Sequence, residues 1–362
     1  MSSAPDRSEL VGAQAGLAAV TSAETHGELG QGEVEVRAKG YWEQVWMRLR
    51  RDKVAIASGV FIVLLVFVAI FGGPIAQHYL GHTATAINQP AGAHGIEALP
   101  VGPWSHVACK DFYPPATDCK GSATQLYVLG ADGVLGHDEF LRLLYGARIS
   151  LEVAVLATIA VMLLGIILGT TAGYYRGLAD TAISRVIELT MVFPALLFII
   201  ALSATVGPRL NQVTFGVFAP GVVTLVLVFA IFGWFYPARI LRAQVLSLRE
   251  KEFVEAARMI GASDSRIMRS HVIPHLIAPI IVYSTLTVAT YILLEAGLSF
   301  LGLGVKLPTA SWGNLLSSAP AFYLQQPWLM VWPGAAVLLT TLAFNLLGDG
   351  LRDAFDPRGS AH

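Results

Sequence analysis

The feature that most limits the fold is a series of apolar runs about 20 residues long, the length a helix needs to cross a hydrocarbon layer of about 30 Å. They lie at Val54–Ala76, Leu151–Tyr174, Val186–Val206, Val217–Tyr236, Leu276–Ala296 and Trp328–Leu347. In lipid, backbone N–H and C=O groups have to bond within their own segment, so each run is expected to be a helix. The composition agrees: 54% of the residues are hydrophobic and 14% charged, against about 25% charged in soluble domains. The expected fold class is an all-α integral membrane protein with six transmembrane helices. Gly72-Gly73-Pro74 is expected to close the strongly apolar part of the first run. That run begins after some fifty residues and exceeds a signal-peptide core, so it reads as a span and not as a cleaved leader.

Residues 1–40 are rich in Ala, Gly, Glu and Ser without a sustained period and read as a disordered tail. The first helix and its approach occupy 41–76, a long loop 77–150, the five remaining helices 151–350, and a C-terminal tail 351–362. Cations gather in four places: Arg48, Arg50, Arg51 and Lys53; Arg176 and Arg185; Arg239, Arg242, Arg249, Lys251, Arg258, Arg266 and Arg269; Arg352 and Arg358. Six alternating helices put all four clusters on one side, and cationic excess marks the cytoplasmic side. Both termini are then cytoplasmic and the 77–150 loop extracytoplasmic. Arg142 and Arg148 fall on the outer side, against this trend. The net charge of −1 gives nucleic-acid binding no electrostatic support.

The outer loop holds both cysteines of the chain, Cys109 and Cys119. In an oxidising compartment they are expected to form a disulfide, worth roughly 3 kcal/mol on the chain-entropy account. His94 and His106 match no metal-ligand spacing and read as surface histidines, so no metal site is expected. The chain has no G-x-x-x-x-G-K-[ST], H-E-x-x-H or G-x-S-x-G motif, so no ATP site of that kind and no catalytic centre are expected. Glu188, Glu295 and Asp349 stand near the ends of spans. Glu295 reads either as a pathway residue or as a carboxylate reaching the outer surface, with Asp349 reaching the inner one.

One cytoplasmic loop, about 239–275, is more polar than its surroundings. Phe253, Ala256, Ala257 and Ile260 follow i, i+3, i+4, i+7, one face of a helix. Gly261 is placed to stop it, Ser263 to cap a second short helix with Asp264 at its start, and Pro274 to disturb the chain as the fifth span begins. By pattern alone, this helix pair is either a surface connector or a docking element whose small face, Ala256 and Ala257, admits another protein's backbone.

The segment Glu255-Ala256-Ala257, three residues, Gly261 and then Pro274 resembles the EAA loop of ABC importer permeases. His271-Val272-Ile273-Pro274 departs from the usual I-x-L-P ending and is similar to the peptide and nickel branch. Three further segments resemble that branch. The first is Gly130-Ala131-Asp132 to Gly136-His137-Asp138 followed by Leu144–Leu151, with His137 where Arg is usual. The second is Glu295–Gly304 running on to Trp312-Gly313-Asn314. The third is Asn345–Asp353 with Asp356-Pro357-Arg358. The resemblance spans about residues 40–358.

It implies a type I ABC importer permease fold. It also implies a second homologous permease, two cytoplasmic ATP-binding subunits that take the EAA helices, and an extracytoplasmic substrate-binding protein. ATP and Mg2+ then belong to the partner subunits, with no cofactor in this chain. Dipeptides or oligopeptides are the implied cargo, with nickel chelates and haem as alternatives. An ion-coupled secondary peptide carrier and a structural or receptor membrane protein are the rival readings.

Overall fold

In the computed structural model the described residues are 40–88, 99–109, 112–113, 124–133, 135–205 and 218–356. Residues 1–39 of the tail expected at 1–40, His94, Cys119, the ends of the third and fourth runs at Val206 and Val217, and residues 357–362 lie outside them. Of the first forty-four residues, 40–44 are described, and they open helix α1, Tyr41–Leu49.

Asp52 caps α2, Lys53–Leu80, by accepting from the backbone N–H groups of Val54 and Ala55, two of the donors a helix start leaves unbonded. Past the glycines and proline at 72–74 the sequence turns less apolar, as expected, but the helix does not end there. The helix passes through a π turn at Val68–Gly72 and runs on to Leu80. Pro74 falls at the start of the turn that follows, where its missing N–H removes little.

The segment after α2 departs from an all-α chain. Ile87–Asn88 (β1) pairs antiparallel with Phe112–Tyr113 (β3), Ser105–Ala108 (β2) with Thr124–Tyr127 (β4), and Ala131–Asp132 (β5) with His137–Asp138 (β6). Strands this short leave almost no alternation to read in the sequence. Buried polar bonds tie them together. The buried Tyr127 hydroxyl donates to Gly136 O at 2.8 Å. His82 meets Asp138 Oδ2 through Nε2 at 2.8 Å and Gln125 through Nδ1. His137 Nδ1 donates to Ala86 O at 3.0 Å. His106 is exposed on β2.

Burial, reinforced by the Arg142 guanidinium, holds the His137 imidazole below its ordinary 6.5, while the bond to Ala86 and the Asp132 carboxylate pull weakly the other way. His137 is therefore harder to protonate in the fold than in the opened segment, which takes up the proton first as the pH falls through 6.5. Acid then favours opening. Amide protection factors across β4–β6 should drop between pH 7.5 and 5, and His137→Gln should flatten that drop. Protection independent of pH in the wild-type protein would contradict it.

Helix α3, Glu139–Tyr175, begins at Glu139 and not at Leu151. Asp138 caps it, accepting from Leu141 N at 3.1 Å. Its first turns carry Glu139 and Arg142, both buried, with Arg142 paired to Asp132 at 2.9 Å. These turns pack on protein and not lipid, so hydropathy does not register them. The 77–150 loop accordingly shrinks at both ends.

The third span is a bent pair. Helix α4, Gly177–Val192, breaks at Pro194 and turns by 84° into α5, Ala195–Thr205, with Phe193 extended as a residue before proline prefers. The fourth is α6, Val222–Gly233, and α7, Phe235–Arg249, bent by 41°. Then come α8, Glu252–Met259, α9, Asp264–Ile267, a π turn at Met268–Val272 and a single turn at Ile273–His275. The chain continues with α10, Ile277–Phe300, α11, Trp312–Ser318, and α12, Trp328–Phe355. Helix α12 runs past Leu347 to Phe355, so residues 351–355 of the expected C-terminal tail are helix. Among the described residues, α2, α3, α10 and α12 are long and apolar enough to cross a membrane, giving six spans if each bent pair counts as one.

The main core gathers Val153, Ala157 and Val161 of α3, Leu225 and Phe229 of α6, Ala289 and Ile292 of α10, and Trp312 of α11. Helix α3 meets α7 at very short range along Gly165, Gly169 and Gly173. A Cβ at Gly169 would lie 2.5 Å from Ala238 O and 2.9 Å from its Cα. Small residues four apart let helix backbones touch in a membrane.

Candidate coupling surface and membrane cleft

Helix α8 has Lys251 at its N-cap and carries Glu252 and Glu255 in its first turn and Arg258 in its last, the order the helix dipole favours. It ends at Gly261, whose φ is +84°. Ala262 N donates to Ala257 O at 3.0 Å and Gly261 N to Arg258 O at 2.9 Å, the paired bonds of a Schellman stop. Ser263 takes the cap position of α9 without a side-chain capping bond. The Asp264 carboxylate instead accepts from the Tyr174 hydroxyl at 2.7 Å.

The expected single stripe splits. Val254 and Ala257 turn inward and pack with Tyr174, Leu241, Val245, Ile267, Val272 and Leu276. Ala256 faces out with Glu255, Met259 and Ile260, the last two 88% and 86% exposed. The small face expected at Ala256 and Ala257 together is therefore Ala256 alone. Phe253 lies between, stacked on His275 with ring centres 5.0 Å apart. Two residues apart on a helix point about 200° away from each other, so Val254 and Ala256 separate cleanly. The i, i+3, i+4 rule alone does not say which side of a broad stripe is covered.

This small unit is tied back to the spans. Arg258 and Arg249 lie over the Tyr174 ring at 5.4 and 5.8 Å, contacts worth about 0.5–1 kcal/mol each when exposed. Arg242 of α7 grips Asp180 of α4 with two bonds, 2.5 and 2.8 Å. Arg176 pairs with Glu250 across the same junction. Val254 and Ala257 of α8 thus pack on Leu241 and Val245 of α7, and α7 in turn meets α3 at the glycine seam. The exposed Pro274 sits in the single turn before α10.

Farther along the spans, α3, α5, α6, α7 and α10 enclose a cleft of about 450 Å3. Phe229, Phe232, Phe235, Tyr236, Tyr283 and Tyr291 give it an aromatic wall, with hydroxyls from Thr287 and Thr290. Phe229 and Tyr291 stack at 4.8 Å.

Glu295 does not reach a surface. It is fully buried and does not line that cleft. Ser150 Oγ donates to its Oε2 at 2.8 Å and Ser299 Oγ to its Oε1 at 2.7 Å. Trp312 N donates to Ser150 Oγ at 3.2 Å and Val305 N to Ser299 Oγ at 3.1 Å. Glu295 is thus the joint between α3, α10 and α11. Two of the sequence motifs, Leu144–Leu151 and Glu295–Asn314, meet in it. Asp349, by contrast, is exposed. The α3 glycine spacing and the Ser150–Glu295 pair escaped sequence reasoning; the first was visible as G-x3-G-x3-G, the second had no local signal. The expected Cys109–Cys119 bridge involves a residue outside the described ones.

The profile for binding-protein-dependent transport system inner membrane components matches residues 144–360. The profile for the N-terminal transmembrane domain of oligopeptide transport permease C matches residues 40–91. The chain is 33% identical over 326 residues to the dipeptide transport system permease protein DppC of Alkalihalophilus pseudofirmus, covering 90% of this chain and 93% of that one. It is 32% identical to the oligopeptide transport system permease protein OppC of Bacillus subtilis, covering 90% and 92%. To the glutathione transport system permease protein GsiD of Pectobacterium atrosepticum it is 34% identical, covering 88% and 91%.

Proposed function

The chain belongs to the family of binding-protein-dependent transport system inner membrane components, and from that premise we propose how it works as a permease subunit of a peptide importer. It is a multi-pass membrane protein and not itself an enzyme. It forms half of a pathway for dipeptides or oligopeptides, paired with a second homologous permease, in the bacterial cell membrane with both termini cytoplasmic. Two ATP-binding subunits beneath the pair hold ATP and Mg2+, so this chain needs no nucleotide site. A substrate-binding protein delivers cargo from outside. The Cys109–Cys119 bridge, on that side, staples the loop.

The observation that carries the coupling role is the outward row of Ala256, Met259 and Ile260 beside the Glu255 carboxylate, on a short helix locked to the spans from behind. Large exposed apolar side chains in a polar loop mark an interaction surface. The aromatic cleft is this chain's share of the pathway, whose uncharged wall suits varied peptide side chains.

Ala256→Leu tests it. The added carbons overpack a docked helix, a cost of roughly 1–3 kcal/mol, or about five- to a hundred-fold in affinity. Co-purification of the ATP-binding subunits and ATP-driven dipeptide uptake should both fall, with membrane levels unchanged. Ala257→Leu, which points into the permease's own core, should lower its thermal stability instead. Full co-purification and uptake with Ala256→Leu would leave the helix a mere connector.

A further inference from the structure

Arg148 is the outer-side cation that the fold leaves without a task. Arg142, six residues earlier on α3, is buried and paired with Asp132. Arg148 is exposed and makes no ion pair or side-chain hydrogen bond among the described residues. It lines a cleft of about 460 Å3 between the end of α2, the outer part of α3 and residues 308–310. Glu152, one turn on and half-buried, lines the same cleft and is equally without an ion pair among the described residues. An i, i+4 pair with the acid on the C-terminal side is the weaker arrangement on a helix. Both residues line the cleft without a direct ion pair to each other.

Two opposite charges on one wall, without a direct ion pair between them, are complementary to a zwitterion. Side chains four apart on a helix start about 5–6 Å from each other. In an extended dipeptide the α-carbons are 3.80 Å apart and one bond of about 1.5 Å lies beyond each, so its ammonium and carboxylate are separated by about 6 Å. A guanidinium takes a carboxylate with two parallel bonds, and a carboxylate accepts from an ammonium. Ile149, Ala219 and Pro308 supply an apolar flank for side chains. The volume is within the range of small-molecule sites.

We propose that this cleft is a binding subsite for the charged ends of a short peptide, with Arg148 holding the carboxylate and Glu152 the ammonium. The inference rests on the peptide-importer reading.

The test uses the whole importer in lipid nanodiscs without its binding protein, titrated with alanyl-phenylalanine, its N-acetyl form and its C-terminal amide by ligand-observed NMR. The wild-type complex should bind the free dipeptide about tenfold more tightly than either blocked form. Arg148→Gln should erase the preference over the amide and keep that over the acetyl form. Glu152→Gln should do the reverse, and a merely structural role would move both preferences together. Equal binding of all three forms, or unchanged preferences in both variants, overturns the subsite while ATP-driven dipeptide uptake by the wild-type protein still stands. Absence of that uptake overturns the peptide reading and the subsite with it.

Discussion

Valine at position 261 is expected to give a permease that inserts normally, holds its ATP-binding subunits poorly and transports little. Gly261 sits at φ +84°, a region that a β-branched residue enters only with strain. A side chain there would meet nothing within 4 Å, so the effect is conformational and not steric contact. Such strained residues cost about 1–3 kcal/mol, which shifts an equilibrium by roughly five- to a hundred-fold or more. The shift falls on the two bonds that close α8, from Ala262 to Ala257 and from Gly261 to Arg258. Losing them unwinds the end of α8 that presents Met259 and Ile260. Asparagine enters the left-handed region more readily, so Gly261→Asn should keep most of the uptake. The measurement is co-purification and uptake for both variants at equal membrane level. Wild-type behaviour of Gly261→Val would refute the role given to this turn.

That turn is legible in the sequence, and its neighbours are not. Gly261 announces itself because one residue type dominates one backbone conformation. The membrane spans announce themselves because lipid demands length and apolarity together. Ala256 and Ala257 are harder, since both are small and the stripe of Phe253, Ala256, Ala257 and Ile260 is wide enough to be covered on either side. Burial of Val254 beside Tyr174 and Leu276 settles which side faces the permease, and those partners come from distant parts of the chain. The start of α3 was missed for a similar reason. Arg142 looked like an outer-loop charge because its neutralising partner, Asp132, lies on a two-residue strand that hydropathy cannot register. The glycine seam on α3 could have been read from its spacing, but the helix it meets, α7, is fixed by tertiary contact at Ala238 and Arg242.

Alanine at position 295 is expected to loosen α11 from the spans and to destabilise the permease more than glutamine does. The reason lies in how the hydrogens are placed. Trp312 N–H donates to Ser150, whose own hydroxyl hydrogen goes to Glu295; Val305 N–H donates to Ser299, whose hydroxyl hydrogen also goes to Glu295. Glu295 is therefore an acceptor at both oxygens. A buried donor left without its acceptor costs about 1–3 kcal/mol, so leaving both serine hydroxyls unpaired should cost roughly 2 kcal/mol or more, before counting the void left by the side chain. Glutamine keeps one acceptor oxygen and turns the other into a donor. One serine then has to rotate its hydrogen toward a helix carbonyl, a possibility open to serine in a helix, so the loss should be about half that of alanine. Thermal denaturation of the purified complex separates the cases. A larger fall for Glu295→Ala than for Glu295→Gln supports an acceptor joint that sets α11 against α3 and α10. Equal falls would assign the effect to the one acceptor oxygen that both variants lose. No fall in either would mean that Trp312, whose indole N–H donates to Leu143 O at 3.1 Å, holds α11 by itself.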